Sequence, residues 1–205
     1  MNRQTKFAII ALVAFVLLLG LITVRQNMFL FSAKTEAAEK IPFPKSLGFT
    51  LTIKAPDQDP AVFQGLASGE KMRLEGKISG IAAVTLLIDS KIYALTEAIK
   101  TAREIENPPV PKTDDAGWTD WLTEPGRVNP LDFAVRIGKD REFDGQAKLA
   151  GGKVIAIFDH GILSKISFPS TESDSNIEYV YGAVVKNPEI PESSFDIPKE
   201  YKITK

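Results

Sequence analysis

Lys71-Met72-Arg73-Leu74-Glu75-Gly76-Lys77-Ile78 decides the fold class. Met72, Leu74 and Ile78 fall on one face of an extended chain, and Arg73, Glu75 and Lys77 on the other. That period of two is the mark of a strand with one face buried and one solvated, the habit of antiparallel sheets. Working outward, Ser68-Gly69 is a turn before this strand, and Val62, Gln64 and Leu66 precede it. Asp57 to Pro60 is another turn, and Phe49, Leu51 and Ile53 share one face of the strand before that. Downstream, Ala82 to Ile88 is a more apolar strand. Asp89-Ser90-Lys91 then turns the chain into Ile92 to Leu95.

The middle of the chain changes character. Thr96 to Ile105 reads either as a helix, with Ile99, Ala102 and Ile105 three apart, or as an extended strand end. Pro108, Pro109 and Pro111 break whatever precedes them. Asp114 or Asp115 caps a short helix that carries Trp118, Trp121 and Leu122 on one face. Pro125-Gly126 ends it. Asn129 caps the next, with Pro130 at its first position and Leu131, Ala134 and Val135 as its stripe. Strands resume near Phe143. Gly151-Gly152 turns into Val154, Ala156 and Phe158, and Asp159-His160-Gly161 turns into Ile162 to Phe168. Thr171 to Asn176 is a polar loop, and Ile177 to Val185 is a long strand. The fold expected is α+β, mainly β: a curled antiparallel sheet, or open half-barrel, with short helices on its concave face.

The first residues belong to a different environment. Residues 1–6 are a basic leader with Arg3 and Lys6. Phe7 to Val24, FAIIALVAFVLLLGLITV, carries no charge, and as a helix it would span roughly 27 Å, the thickness of a bilayer core. A transmembrane anchor fits this run better than a cleaved secretory signal, whose apolar region is about 7–15 residues. Bulky Phe31, two positions before Ala33, also makes a poor cleavage site. Either reading places residues 32–205 outside the cytoplasm. The expected location is a bacterial cytoplasmic membrane, single-pass, with the domain facing the periplasm or cell exterior. Residues 25–47 read as a linker, polar and then proline-punctuated, and residues 48–205 as the folded domain.

Composition removes several classes of function. The 205 residues include no cysteine and one histidine, His160, so disulfides, thiolate nucleophiles, cysteine-held metals and histidine clusters are excluded. Residues 1–31 hold three of the 25 basic residues and none of the 26 acids, which leaves the remainder with a formal net charge of −4. An acidic domain is a poor partner for nucleic acid, so none is expected. No phosphate loop, dinucleotide glycine motif or nucleophile elbow occurs. His160 is explained by its turn. The acids Asp114, Asp115, Asp120 and Glu124 are explained by capping and solvation, and Asp140 with Asp144 is a carboxylate pair of no distinguishing context. No catalytic residue, cofactor or metal is expected, and no enzyme.

Several strand-and-turn patterns together resemble the LolA-like superfamily, the bacterial lipoprotein-carrier fold. Lys71-Met72-Arg73-Leu74-Glu75-Gly76 is similar to its K-M-R-x-E strand, and Ile88-Asp89-Ser90-Lys91-Ile92-Tyr93 to the hairpin that follows. Gly152 to Phe158 and Gly161 to Phe168 match two later strands. Asn187 to Tyr201, NPEIPESSFDIPKEY, is similar to its I-P-x-S-x-F-x-I-P-x-G-Y ending. Ser90 and Glu200 stand where the family has glycine. The resemblance covers about residues 47–203. It implies an open half-barrel whose space between sheet and helices holds acyl chains or other apolar ligands. The lining residues expected are Phe49, Leu51, Met72, Leu74, Val84, Leu86, Trp118 and Trp121. The function expected is non-catalytic binding of a lipid, acyl chain or lipidated peptide. The alternative is an envelope protein-interaction or sensor module with a filled core. The partners expected are the membrane through residues 7–24, a lipid or lipoprotein ligand, and an envelope protein.

Overall fold

A computed structural model of the chain describes residues 42–78 and 80–205. The anchor expected at Phe7–Val24 lies outside the described residues. Among these, no helix is long and apolar enough to cross a membrane. The compact unit runs from Phe43 to Lys205.

Its chain forms one mainly β structure, an eleven-stranded, curled and unclosed sheet. In chain order the strands are β1 (Ser46–Lys54), β2 (Ala61–Ser68), β3 (Lys71–Ile78), β4 (Ile81–Ile88), β5 (Lys91–Thr96) and β6 (Thr101–Ile105), then β7 (Gly145–Leu149), β8 (Val154–Asp159), β9 (Ile162–Pro169), β10 (Asn176–Lys186) and β11 (Lys202–Thr204). In space they run β11-β6-β5-β4-β3-β2-β1-β10-β9-β8-β7. Two meanders of sequential hairpins are therefore joined by one long-range pairing, β1 against β10, with Leu51 opposite Tyr181. Every pairing is antiparallel except β11 with β6. The Thr96–Ile105 stretch resolves as a single 3₁₀ turn, Glu97–Ile99, followed by β6.

Among the described residues the α-helices are two single turns, α1 (Trp118–Trp121) and α2 (Phe133–Arg136), both in the insertion of residues 106–144. This insertion packs against one face of the sheet, which we term the inner face. Strand alternation chooses what that face carries. β1 supplies Leu47, Phe49 and Leu51, β3 supplies Met72 and Leu74, and β8, β9 and β10 supply Ala156, Ile166, Tyr179 and Tyr181, all in one buried cluster. On β2 the inward residues are Phe63, Gly65 and Ala67, not Val62, Gln64 and Leu66. Gly65 is required there, because the Phe49 ring lies where its Cβ would be.

The outer face is covered at one end by the C-terminal tail. After β10 the chain turns at Asn187, whose N–H donates to Ser46 O at 2.9 Å and whose Oδ1 accepts from Lys45 N–H at 2.8 Å. It then crosses the outer face of β3 and β4 through the 3₁₀ turn Glu192–Phe195, burying Phe195. It ends beside β6 as the parallel strand β11. Ile197 and Tyr201 of this strap pack on a second apolar cluster of Leu86, Leu95 and Ala102.

Candidate functional site

The candidate site is the layer between the inner face and the insertion. The insertion begins as an extended, proline-limited segment and then closes on the sheet. Asp115 Oδ1 accepts from Gly117 N–H at 2.9 Å and sets the turn into α1. There Trp118 is completely buried and Trp121 is 4% exposed. Each indole N–H donates to an insertion carbonyl, Trp118 to Lys112 O at 2.7 Å and Trp121 to Pro108 O at 3.3 Å. The two rings meet edge to face at 5.7 Å, and both touch Phe133 of α2. Phe133 in turn stacks on Phe158 of β8 at 6.3 Å. An aromatic chain thus runs from the cover into the sheet, with the offset and edge geometries such rings prefer.

Hydrogen bonds hold this cover through its backbone carbonyls. Tyr179 OH donates to Leu122 O, and Tyr181 OH to Val128 O at 3.3 Å. Burial pushes both phenols well above their ordinary range, so they remain neutral donors. Arg127 spans Trp121 O at 2.8 Å and Glu106 O at 3.0 Å, tying the start of the segment to its middle. Asn129, fully buried, donates from Nδ2 to Gly69 O at 2.9 Å and accepts Leu131 N–H at 3.0 Å. Its side chain thus closes the turn that precedes α2, whose N-cap is Asp132 rather than the expected Asn129, and pins the insertion to the β2–β3 turn. Gly126 sits so close to Thr85 of β4 that a Cβ would overlap the threonine methyl. Glu124 is half-buried beside Arg127, and burial raises its carboxyl above the usual range.

Six of the eight expected lining residues come together here: Phe49, Leu51, Met72, Leu74, Trp118 and Trp121 share the main cluster. Val84 and Leu86 do not. They stand on the outer face of β4, in the cluster under the strap. The register gives the reason: Met72 pairs with Leu87 and Leu74 with Thr85, so Thr85 and Leu87 are the inward residues of β4. The turn at Gly80 between β3 and β4 is the signal in the sequence that fixes this parity. Sequence reading also passed over Phe63, Phe133, Tyr179 and Tyr181. The two tyrosines are legible as alternate positions of one strand, whereas the role of Phe133 depends on how the insertion docks. Val135, expected on the α2 stripe, is 44% exposed.

The inner face is thus filled by the insertion's own side chains. Three described surface depressions lie elsewhere. One of about 210 Å³ lies under the strap beside Tyr93 and Phe195, one of about 420 Å³ beside β7, and one of about 380 Å³ between Asp114 and the β9 end. At the tip of the β3–β4 hairpin, Ile78 and Ile81 are 54% and 73% exposed. At the β8–β9 turn, exposed Asp159 and His160, with Asp144 from the end of the insertion, bring ligand-capable atoms within 4.8 Å of one another. His160 Nδ1 lies 2.7 Å from Asp159 Oδ1, and that hydrogen bond raises the imidazole's pKa, which makes it an ion-pair partner at a turn.

No family model and no curated protein matches this sequence. Among solved structures the chain is similar to a LolA superfamily protein from Nitrosomonas europaea, with 12% identity and a TM-score of 0.41, over 76% of this chain and 91% of that chain.

Proposed function

We propose that this chain is a non-catalytic, membrane-anchored, extracytoplasmic domain that binds a lipid, an acyl chain or a lipidated peptide between the inner face and the insertion. One observation carries the reading. A broad apolar sheet face is covered by a segment whose only α-helices are two single turns, tied to the sheet by a few side-chain hydrogen bonds: Tyr179 and Tyr181 donate to its carbonyls, and its Asn129 donates to Gly69 O. Such a cover has little regular structure of its own to lose on moving.

The magnitudes allow exchange. Exposing Trp118, Trp121, Leu122 and Phe133 costs about 1.5–3 kcal/mol each, or roughly 6–12 kcal/mol in all. Burying an acyl chain of about sixteen carbons returns roughly 12 kcal/mol at about 0.8 kcal/mol per CH₂. A ligand of that length can therefore take the place of the insertion's side chains, whereas a short one cannot.

The chain's two tryptophans are Trp118 and Trp121, both in the cover, so intrinsic fluorescence reports on this layer alone. The full chain in phosphatidylcholine nanodiscs is titrated with dibrominated stearic acid, a contact quencher. The expected result is saturable quenching that unlabelled palmitate reverses and that octanoate does not. Emission indifferent to both fatty acids would overturn the proposal.

A further inference from the structure

Among the described residues the unclosed sheet ends at β7, whose outer edge pairs with no other strand. Beside Gln146–Leu149 runs a trough of about 420 Å³, with Thr113, Ile137 and Lys139 as its far wall. Its floor is apolar: Ile137, Ala147 and Leu149 are nearly fully buried. Its charged lining residues are Lys139 and Lys148, both exposed, and no carboxylate lines it. The Lys139 ammonium lies 5.1 Å from the centre of the Phe143 ring, and among the described residues neither lysine has an ion-pair partner.

The edge is already in use at one end. Ala150 N–H, just past β7, donates to Thr113 O at 2.9 Å, so a piece of the insertion stands where a neighbouring strand would. Upstream of that bond no other strand or backbone hydrogen bond of the described residues occupies the free edge of β7. Five residues of strand present about 17 Å of backbone donors and acceptors.

We propose that this edge and trough dock an extended, acidic segment of a partner protein, which adds to the sheet as a further strand and places its carboxylates at Lys139 and Lys148. Main-chain hydrogen bonds supply the affinity of such an addition, and flanking side chains supply its selectivity. A lysine on an edge strand ordinarily discourages pairing. Here it discourages neutral and basic strands and attracts an acidic one, so the same side chain both rejects and selects. The trough borders the layer beneath the insertion and shares Ile137, Ala147 and Leu149 with its cluster, but the strand edge and the two lysines lie outside that layer.

The test uses the full chain in phosphatidylcholine nanodiscs and the fluorescein-labelled pentapeptide Glu-Val-Thr-Val-Glu, read by anisotropy. The expected result is saturable binding that is lost when alternate peptide amides are methylated. Lys148→Glu or Lys139→Glu should each weaken it about tenfold, and added salt should weaken it in the unsubstituted chain. Lys-Val-Thr-Val-Lys should bind only the Lys148→Glu chain. Absence of saturable binding, or binding indifferent to amide methylation, overturns the proposal. So does self-association of the chain that Lys148→Glu abolishes, because the occupant would then be a second copy.

Discussion

The sheet carries two covers that differ in kind. The insertion on the inner face buries Trp118, Trp121, Leu122, Val128, Leu131 and Phe133 together with the largest cluster in the molecule. Its polar groups reach buried partners, Tyr179 to Leu122 O and Asn129 to Gly69 O. The strap on the outer face buries Phe195 and half-buries Ile197 and Tyr201. It is fastened by the exposed ion pair of Lys71 with Glu192, by the hydrogen bond from the Tyr201 hydroxyl to Glu97, and by three residues of parallel strand. Solvent screens exposed contacts of this kind to little net effect, while a fully buried aromatic contributes several kcal/mol. One cover is therefore part of the core, and the other is a fastening laid over a finished sheet. β4 lies between them with both faces buried, Leu87 inward and Leu86 outward.

The largest effect that separates the covers is a core truncation in each. Trp118→Ala leaves a cavity among Trp121, Phe133 and the inner strands and should lower the unfolding free energy by about 3–5 kcal/mol in urea titration. Phe195→Ala removes an aromatic that is equally buried, yet its cost is limited to the free energy of docking the strap, because the strap can open locally while the sheet stays folded. It should cost less than half as much in the same titration and should accelerate amide exchange in β11 and β6. Equal costs for the two substitutions would mean that strap and core fold as one unit.

This asymmetry also bears on how much the sequence discloses. The hairpins from β2 to β5 are local, and alternation with Gly, Asp and Ser turns marks them; the Trp118 helix and the turn at Asn129 are marked as plainly, but the start of α2 at Phe133 is not. The β1–β10 pairing joins segments more than 120 residues apart, and no local pattern encodes it. The path of the strap is hidden for the same reason. Pro188, Pro191 and Pro198 announce an extended tail but not the face it crosses. Val84 and Leu86 were set on the wrong face because a strand apolar on both sides has no period to read. A filled inner layer is likewise invisible in advance, since apolar residues that line a cavity and those that fill one have the same composition.

A smaller effect tests the hydrogen bonds of the inner cover. Tyr179→Phe keeps the ring and its edge contact with Phe168 at 5.3 Å but leaves Leu122 O without its donor. The loss should be about 1–3 kcal/mol in urea titration. If the insertion is the movable element, the same substitution should also increase the quenching of Trp118 and Trp121 by dibrominated stearate. A stability loss with unchanged quenching would make the hydroxyl a structural tie only.

The smallest effect has opposite signs in the two covers. Burial raises Glu124 above the ordinary carboxyl value of 4.5, so its charged form is the unfavourable one in the folded chain. As pH falls through that raised value towards 4.5, protonation relieves the penalty and the inner cover becomes more stable. Below 4.5 it gains nothing further. Glu97 is held below 4.5, first by its hydrogen bond from Lys100 and then by that from Tyr201. Its contribution is complete above 4.5 and is lost as pH falls through the depressed value, so the strap loosens in acid. Amide exchange followed across both windows, with each amide corrected for intrinsic rate, should show protection around Leu122 and Gly126 rising between neutral pH and 4.5. Protection at β11 should then fall below 4.5. Substituting Gln at position 124 should flatten the first change and leave the second. A common response at both covers would show that acid acts on the sheet beneath them rather than on either cover.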